Sequence, residues 1–297
     1  MKFVTKPISY ENLKSVIDFL SHKEKTCITL MSRFIQKGDI CLLPNHIKGY
    51  AFYYENKLVG ILAISEGGIV LHHFDEKYLN KDFKHKSDFE KLIFPILSRH
   101  YIYSIIGDME GTDFLCKIID CEKKPKIKIS YTLMTFNESQ KQDNISKKDL
   151  PNNFQLKKCN SEDTEKLYSL QAAYDVVEVL PPDEEFNPEN CRLNLRHNLI
   201  NQYIIGIWDS STNCFVAKAG TNAQGQNWVQ IGGVFTKETF RGKGLATFMV
   251  KKLAIIMKEK QKNVALFVKD TNDFAKKAYL KAGFLPDSKF CICYYWR

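Results

Sequence analysis

Residues 232–250 read GGVFTKETFRGKGLATFMV, and the reading of this stretch decides the fold. Two glycines interrupt an apolar run, and Arg241-Gly242-Lys243-Gly244 follows a few residues later. Leu245, Phe248, Met249, Leu253, Ile256 and Met257 then recur at helical spacing, so Leu245–Lys260 is expected to be a helix. Glycine inside a strand is unfavourable and marks a bulge or the close approach of another chain or ligand. Gly232 and Gly233 are therefore expected to bend their strand away from its neighbour, which frees main-chain groups for an extended, amide-bearing ligand. A helix N-terminus carries unpaired N–H groups and partial positive charge, which suits a diphosphate. Gly242 and Gly244 remove side chains that would block the approach, Ala246 is small, and Arg241 and Lys243 add mobile positive charge.

Working outward, Tyr203–Trp208, Phe215–Ala219 and Trp228–Phe235 read as strands, with turn signals at 209–213 and 224–227. Ser161–Ala173 reads as an amphipathic helix, Ala265–Val268 as a short buried strand and Phe290–Trp296 as a final strand. Asn272–Ala282 reads as a helix, with Asn272 as N-cap and Gly283 at its C-terminal cap. The N-terminal half follows a similar order. Helices are expected at Tyr10–Leu20, Cys27–Gln36, Phe89–Leu97 and Thr112–Ile119. Strands are expected at Tyr50–Tyr54, Leu58–Ser65, Gly68–Phe74, Tyr101–Ile106 and Ile129–Phe136. Similar order at half the chain length suggests a duplicated fold. The polar segment from about Asn137 to Asn153 reads as a linker, which puts the domains at 1–145 and 146–297. The Arg/Gly loop has no counterpart in the first half, where Phe74 is followed by DEKYLNKDFK.

A chain of 297 residues, 44% hydrophobic, can bury two cores. No apolar run approaches the length of a membrane span, and the start of the chain lacks a signal-peptide core. The nine cysteines form no CxxC pair and no zinc spacing with histidine, so they read as reduced thiols of a cytoplasmic protein without a metal. The formal charge of +9 favours anionic partners, either nucleic acid or a phosphorylated small molecule. The basic run Lys123–Lys128 lacks interleaved aromatics, which argues against nucleic acid.

A ligand with a diphosphate at one end and two amides along an arm fits both the loop and the bent strand. Coenzyme A is such a molecule. The loop R-G-K-G-L-A at 241–246 resembles the [Q/R]-x-x-G-x-[G/A] signature of the GNAT acyltransferase superfamily. Asn272, Ala275, Tyr279 and Gly283-Phe284 resemble that family's downstream N-x-x-A-x-x-x-Y-x-x-x-G-F element. The resemblance covers about residues 154–297 and implies an α/β (α+β) fold of two tandem GNAT-like domains. Each would be a mixed, mostly antiparallel sheet flanked by helices, and the first a degenerate copy without the phosphate loop. It implies transfer of an acetyl group from acetyl-CoA to an amine, either a small molecule or a protein. Val234, Phe235 and Thr236 would line the pantetheine arm. Gly242, Lys243, Gly244, Leu245, Ala246 and Thr247, with Arg241, would hold the diphosphate. Asn272 would contact the arm, and Tyr279 would lie near the thioester sulfur.

The seven-residue spacing puts Asn272 and Tyr279 on one helical face. Tyr279 is a candidate general acid for the departing thiolate, with hydrogen bonding to the sulfur or core packing as alternatives. The general base stays unassigned among Glu178, Glu238 and Asp270. The stretch 175–186, with Asp175, Glu178, Asp183, Glu184 and Glu185, either steers a cationic amine or is a solvated loop. His72-His73 are expected on a strand and its edge, and Cys291 and Cys293 on one strand face. Two other readings compete: an acyl-CoA sensor without turnover, and a nucleic-acid binder. The N-terminal half is expected to cover a sheet edge, shape the acceptor pocket or take part in a homodimer.

Overall fold

The computed structural model describes residues 3–36, 38–120, 123–137, 150–180 and 184–295. The expected linker and the boundary between 145 and 146 fall mainly on residues 138–149, outside the described residues.

The first half opens with β1 (Phe3–Pro7), α1 (Tyr10–Ser21) and α2 (Ile28–Met31). A small ribbon, β2 (Ile35–Gln36) and β3 (Asp39–Ile40), leads into the long strands β4 (Ile47–Tyr54), β5 (Lys57–Ser65) and β6 (Ile69–Phe74). Then come α3 (Lys86–Ser98), β7 (Ser104–Asp108), α4 (Met109–Ile119) and β8 (Ile127–Phe136). The second half runs β9 (Phe154–Cys159), α5 (Thr164–Tyr174), α6 (Pro188–Asn201), β10 (Ile204–Asp209), β11 (Cys214–Gln224) and β12 (Trp228–Thr236). It closes with α7 (Leu245–Glu259), β13 (Asn263–Lys269), α8 (Asp273–Lys281) and β14 (Phe284–Tyr294).

Two expectations are corrected, and one helix was not foreseen. The helix expected over Cys27–Gln36 breaks after Met31 into a 3₁₀ turn and strand β2, because Phe34 must turn inward to the core while Gln36 stays exposed. Helix α6 was hidden by a polar exterior: only Cys191, Leu195 and Leu199, four residues apart, are buried. Its start is conventional, with Asn187 capping the Asn190 N–H at 3.0 Å and Pro188 in the first turn. The last strand begins at Phe284, not Phe290, because β8 supplies a partner along its whole length.

The long strands form one sheet in the order β1-β4-β5-β6-β7-β14-β8-β13-β12-β11-β10-β9. Neighbours are antiparallel except β6 with β7 and β12 with β13. Each half repeats one plan, with two helices on each sheet face: α1 and α2 opposite α3 and α4, then α5 and α6 opposite α7 and α8. The final strands are exchanged. β8 of the first half pairs with β13 of the second, and β14 of the second pairs with β7 of the first. The alternation of β14 then sends Cys291 and Cys293 to one face and Phe290, Ile292 and Tyr294 to the other.

Glu24 locks the halves together. Its carboxylate is 1% exposed and accepts the main-chain N–H groups of Asn227 at 2.9 Å and Trp228 at 3.1 Å, plus Asn227 Nδ2 at 3.2 Å. These donors sit in the β11–β12 turn, whose Gly225 has no room for a Cβ beside Glu24 Oε1. Removing the carboxylate strands two main-chain donors, at about 1–3 kcal/mol each. Glu24→Ala is therefore expected to lower the unfolding free energy in urea by about 2–4 kcal/mol, with Glu24→Gln losing less. A loss of under about 0.5 kcal/mol, the level of an ordinary surface substitution, would mean that this contact does not hold the halves together.

Candidate active site

β12 and β13 pair only from Trp228↔Asn263 to Ile231↔Leu266, although both strands continue. The separation begins at the two glycines. Opposite β12, Lys218 and Gly220 of β11 face Phe235 and Gly232, so β12 carries one extra residue. Gly233 takes φ +58°, a conformation that favours glycine. At Gly232 a Cβ would lie 1.9 Å from Nδ2 of the exposed Asn222, so a side chain there would displace that amide.

A cavity of about 440 Å³ opens where the strands part. One wall is Gly232, Gly233 and Val234 of β12, with Val268 and Lys269 of β13 facing them. Asn272, Ala275 and Tyr279 of α8 form another. Phe290, Ile292 and Tyr294 of β14 close the far side. The first half contributes Thr29, Ile106 and Tyr131, so it shapes this cavity.

Tyr174 and Glu178 also line the cavity. Helix α5 ends in a π-helical turn, Asp175–Val179, in which the Leu180 N–H reaches the Asp175 carbonyl at 2.8 Å. Widened turns of this kind occur frequently at functional sites. Glu178 is held at 3.0 Å by the Lys269 ammonium, which also donates to the Glu178 carbonyl at 3.2 Å.

Asn272 and Tyr279 share one face, as their spacing requires, and both reach the cavity. Asn272 is also the N-cap of α8, its Oδ1 accepting the Ala275 N–H at 3.0 Å. Tyr279 is 8% exposed, and among the described residues its hydroxyl has no hydrogen-bond partner. Burial holds its pKa well above the usual phenol value, with Tyr174 and Glu178 adding to the effect. Burial likewise pushes Tyr174 up to about 12 and raises Tyr131.

Other candidates fall elsewhere. Phe235 turns away from the cavity and packs against Tyr174, ring centroids 6.2 Å apart. Neither Phe235 nor Thr236 is in the lining, so Val234 is the member of that trio at the cavity. Glu238 is exposed on a 3₁₀ turn. Asp270 accepts from Thr132 at 2.6 Å and Lys289 at 2.8 Å. Burial pushes its carboxyl upward, but these donors outweigh that and hold it below its usual value. In the acidic stretch, Asp175 accepts from Gln171 at 2.8 Å and Glu184 from the Tyr103 hydroxyl at 2.8 Å. Glu185 is exposed and Asp183 lies outside the described residues, which leaves Glu178 as the acid of that stretch at the cavity.

The Arg/Gly loop runs from β12 to α7. Gly242 and Gly244 sit at φ +77° and +75°, and a Cβ on either would meet no protein atom within 4 Å. The conformation calls for glycine, and the space beside it stays open. Phe248 is the first residue of α7 with a main-chain partner, the Gly244 carbonyl at 3.0 Å. The N–H groups of Leu245, Ala246 and Thr247 precede that bond and carry the positive end of the helix. Arg241 and Lys243 are exposed, and Arg241 Nε donates to the Thr236 carbonyl at 3.3 Å, tying the loop to the strand. Open space, helix N-terminal donors and two cations fit a diphosphate.

The first half has a matching separation and fills it. β6 and β7 pair from Ile69↔Ser104 to Leu71↔Ile106 and then part. The buried His72 ring occupies the gap, 2.9 Å from Thr112 Oγ1, and lies against Gly107 and Gly111 so closely that neither could carry a Cβ. His73 is buried beside it on the same strand. Beyond Phe74, a turn capped by Asp75 replaces the glycine loop.

Tyr131, Tyr174, Ile106 and Tyr294 are absent from the residues expected from sequence. They come from four separate elements, and strand exchange brings Tyr131, Ile106 and Tyr294 beside the second half's Tyr174. Among the described residues, no helix is long and apolar enough to cross a membrane.

The profile of the acetyltransferase (GNAT) family matches residues 165–284. A search of curated proteins finds no match. Solved structures share the fold over nearly the whole chain. A Drosophila protein is 12% identical, with 98% of each chain covered and a TM-score of 0.65. A tandem GNAT protein from the clavulanic acid biosynthesis pathway is 10% identical, with 98% of each chain covered and a TM-score of 0.59. A GNAT-family acetyltransferase from Colwellia psychrerythraea is 14% identical, covering 99% of this chain and 100% of its own, with a TM-score of 0.53. The second half thus carries a GNAT-family domain over residues 165–284, and the whole chain shares the tandem fold of solved GNAT proteins.

Proposed function

We propose that the chain is an N-acetyltransferase that moves an acetyl group from acetyl-CoA to an amine, with one working site in its second half. The observation that carries this reading is the continuity of the parted strand, Gly232–Val234, with the glycine loop at the N-terminus of α7. The main chain of β12 offers hydrogen bonds to an amide-bearing arm, as an added strand would. The loop and the first turn of α7 offer theirs to a diphosphate. Asn272 borders the arm's path. The donor supplies a thioester, and its acyl carbon would lie in the cavity beside Tyr279.

The chain's own groups then have distinct tasks. An alkylamine is mostly protonated at neutral pH and must lose a proton before it attacks. Glu178, directly or through water, takes that proton. Tyr279 stays protonated across the neutral range and supplies its hydroxyl proton to the departing sulfur. The aromatic side chains Tyr131, Tyr174 and Tyr294 line the site around these groups. The filled gap at His72 leaves the first half without a coenzyme site of this kind.

Calorimetry should find one equivalent of acetyl-CoA per chain; two equivalents would contradict the single-site reading. Gly244→Val, which places a β-branched side chain at positive φ beside the α7 N-terminus, is expected to weaken that binding at least tenfold. Binding without amine-dependent release of free CoA, across a broad panel of amines, would favour the sensor reading.

Turnover should separate the two proton carriers from the binding residues. Glu178→Gln is expected to lower kcat by roughly a hundredfold and Tyr279→Phe by roughly tenfold or more, both with acetyl-CoA affinity kept. Near-normal turnover of Tyr279→Phe at saturating acceptor would remove the acid role.

A further inference from the structure

Lys218 lies on β11 behind the bulge, 5% exposed. Its ammonium donates to the Gly233 carbonyl at 3.0 Å and stands 4.6 Å from the centre of the Tyr174 ring. Among the described residues it forms no ion pair. Its acidic neighbour Asp175 accepts instead from Gln171. Burying a lysine cation is costly. Its hydrogen bond goes to one carbonyl, with the Tyr174 ring face beside it, and that carbonyl belongs to the glycine where β12 leaves its neighbour.

The Gly233 carbonyl and the Val234 N–H belong to one peptide unit. The described chain has no cis peptide, so this N–H points opposite to the carbonyl that Lys218 holds. A cation on the oxygen draws electron density from the amide and makes its N–H a stronger donor, as in any chain of hydrogen bonds in a low-dielectric interior. Val234 lines the cavity.

We infer that Lys218 is a positioning residue, whose ammonium fixes the Gly233 carbonyl from behind the strand and so aims and polarises the Val234 N–H as the donor to the acyl oxygen. This rests on the acyl-transfer reading above. It adds a buried cation, outside both sequence motifs, to the apparatus that stabilises negative charge on that oxygen. Single main-chain or side-chain donors of this kind are worth about 10²–10³ in turnover, so weakening one should be readily measured.

The cation is also titratable near the working range. Burial pulls the Lys218 pKa down to about 8, while Asp175 and the thiols of Cys191 and Cys159 pull it back up. The groups facing it are Tyr174 and Asp175 from the end of α5, Cys191 from α6 and Cys159 from β9. Lys218 is charged below that pKa and neutral above it. The support for the acyl oxygen is therefore present at neutral pH and lost as pH rises through about 8. Acceptor deprotonation changes in the opposite direction.

The test follows the Val234 amide by NMR in the full chain, labelled with [¹⁵N]valine, alongside the Lys218 ε-carbon, from pH 6.5 to 10. The expected result is one shared midpoint near pH 8 for both signals, with the pH response of Val234 absent in Lys218→Met. In turnover, Lys218→Met should lose at least tenfold in kcat at pH 7 while its acetyl-CoA affinity stays within threefold. Lys218→Arg, which keeps the charge, should recover part of the loss. A Val234 signal that stays fixed while Lys218 titrates overturns the proposal, as does unchanged kcat in Lys218→Met. If Lys218→Met does not fold, the titration of the native chain decides alone. Failure of the native chain to bind acetyl-CoA would count against the transferase reading, and the ligand-free titration would still report on the lysine–amide coupling.

Discussion

A parallel ladder that stops after four residue pairs governs the rest of this molecule. Main-chain N–H and C=O groups are costly to leave unpaired away from water, and a sheet normally pairs them with its neighbouring strand. β12 gives up that pairing beyond Ile231 because an extra residue and a left-handed glycine turn it away from β13. The groups so released face a cavity instead of a strand. The protein keeps a stretch of unfinished sheet, and an extended ligand with its own amides can finish it.

Strand exchange gives this gap its walls. Had each half kept its own last strand, β14 would lie beside β13. Instead β8 lies there, and β14 sits between β8 and β7. Tyr131 on β8 and Ile106 on β7 thereby reach a cavity lined chiefly by the second half. The two halves are bound into one sheet, and Glu24 fastens α1 and α2 of the first to the β11–β12 turn of the second. The first half has kept the plan of the fold while closing its own gap with His72. It supplies Thr29, Ile106 and Tyr131 to the cavity lining.

The parts legible in the sequence were those written in local patterns. The helix after the glycine loop, the N-cap at Asn272, the shared face of Asn272 and Tyr279 and the bulge at Gly232-Gly233 each follow from spacing or from backbone freedom within a few residues. Helix α6 was missed because a helix that buries only every fourth residue shows little amphipathic contrast. The break after Met31 was missed because burial of Phe34 overrides an otherwise helical run. Glu178 could be named among three carboxylates but not separated from Glu238 and Asp270, since the difference lies in a π-helical turn and in partners far along the chain. Lys218 carries no local signal at all. Its significance comes from a carbonyl fifteen residues away, across a register shift.

The account stands on the main chain of the parted strand and of the helix start being available to one ligand at once. Hydrogen exchange with and without acetyl-CoA tests this directly. Protection of amides at both 232–236 and 244–247, with the sheet interior unchanged, is the result the account requires. Unaltered exchange in both segments at saturating acetyl-CoA would contradict it.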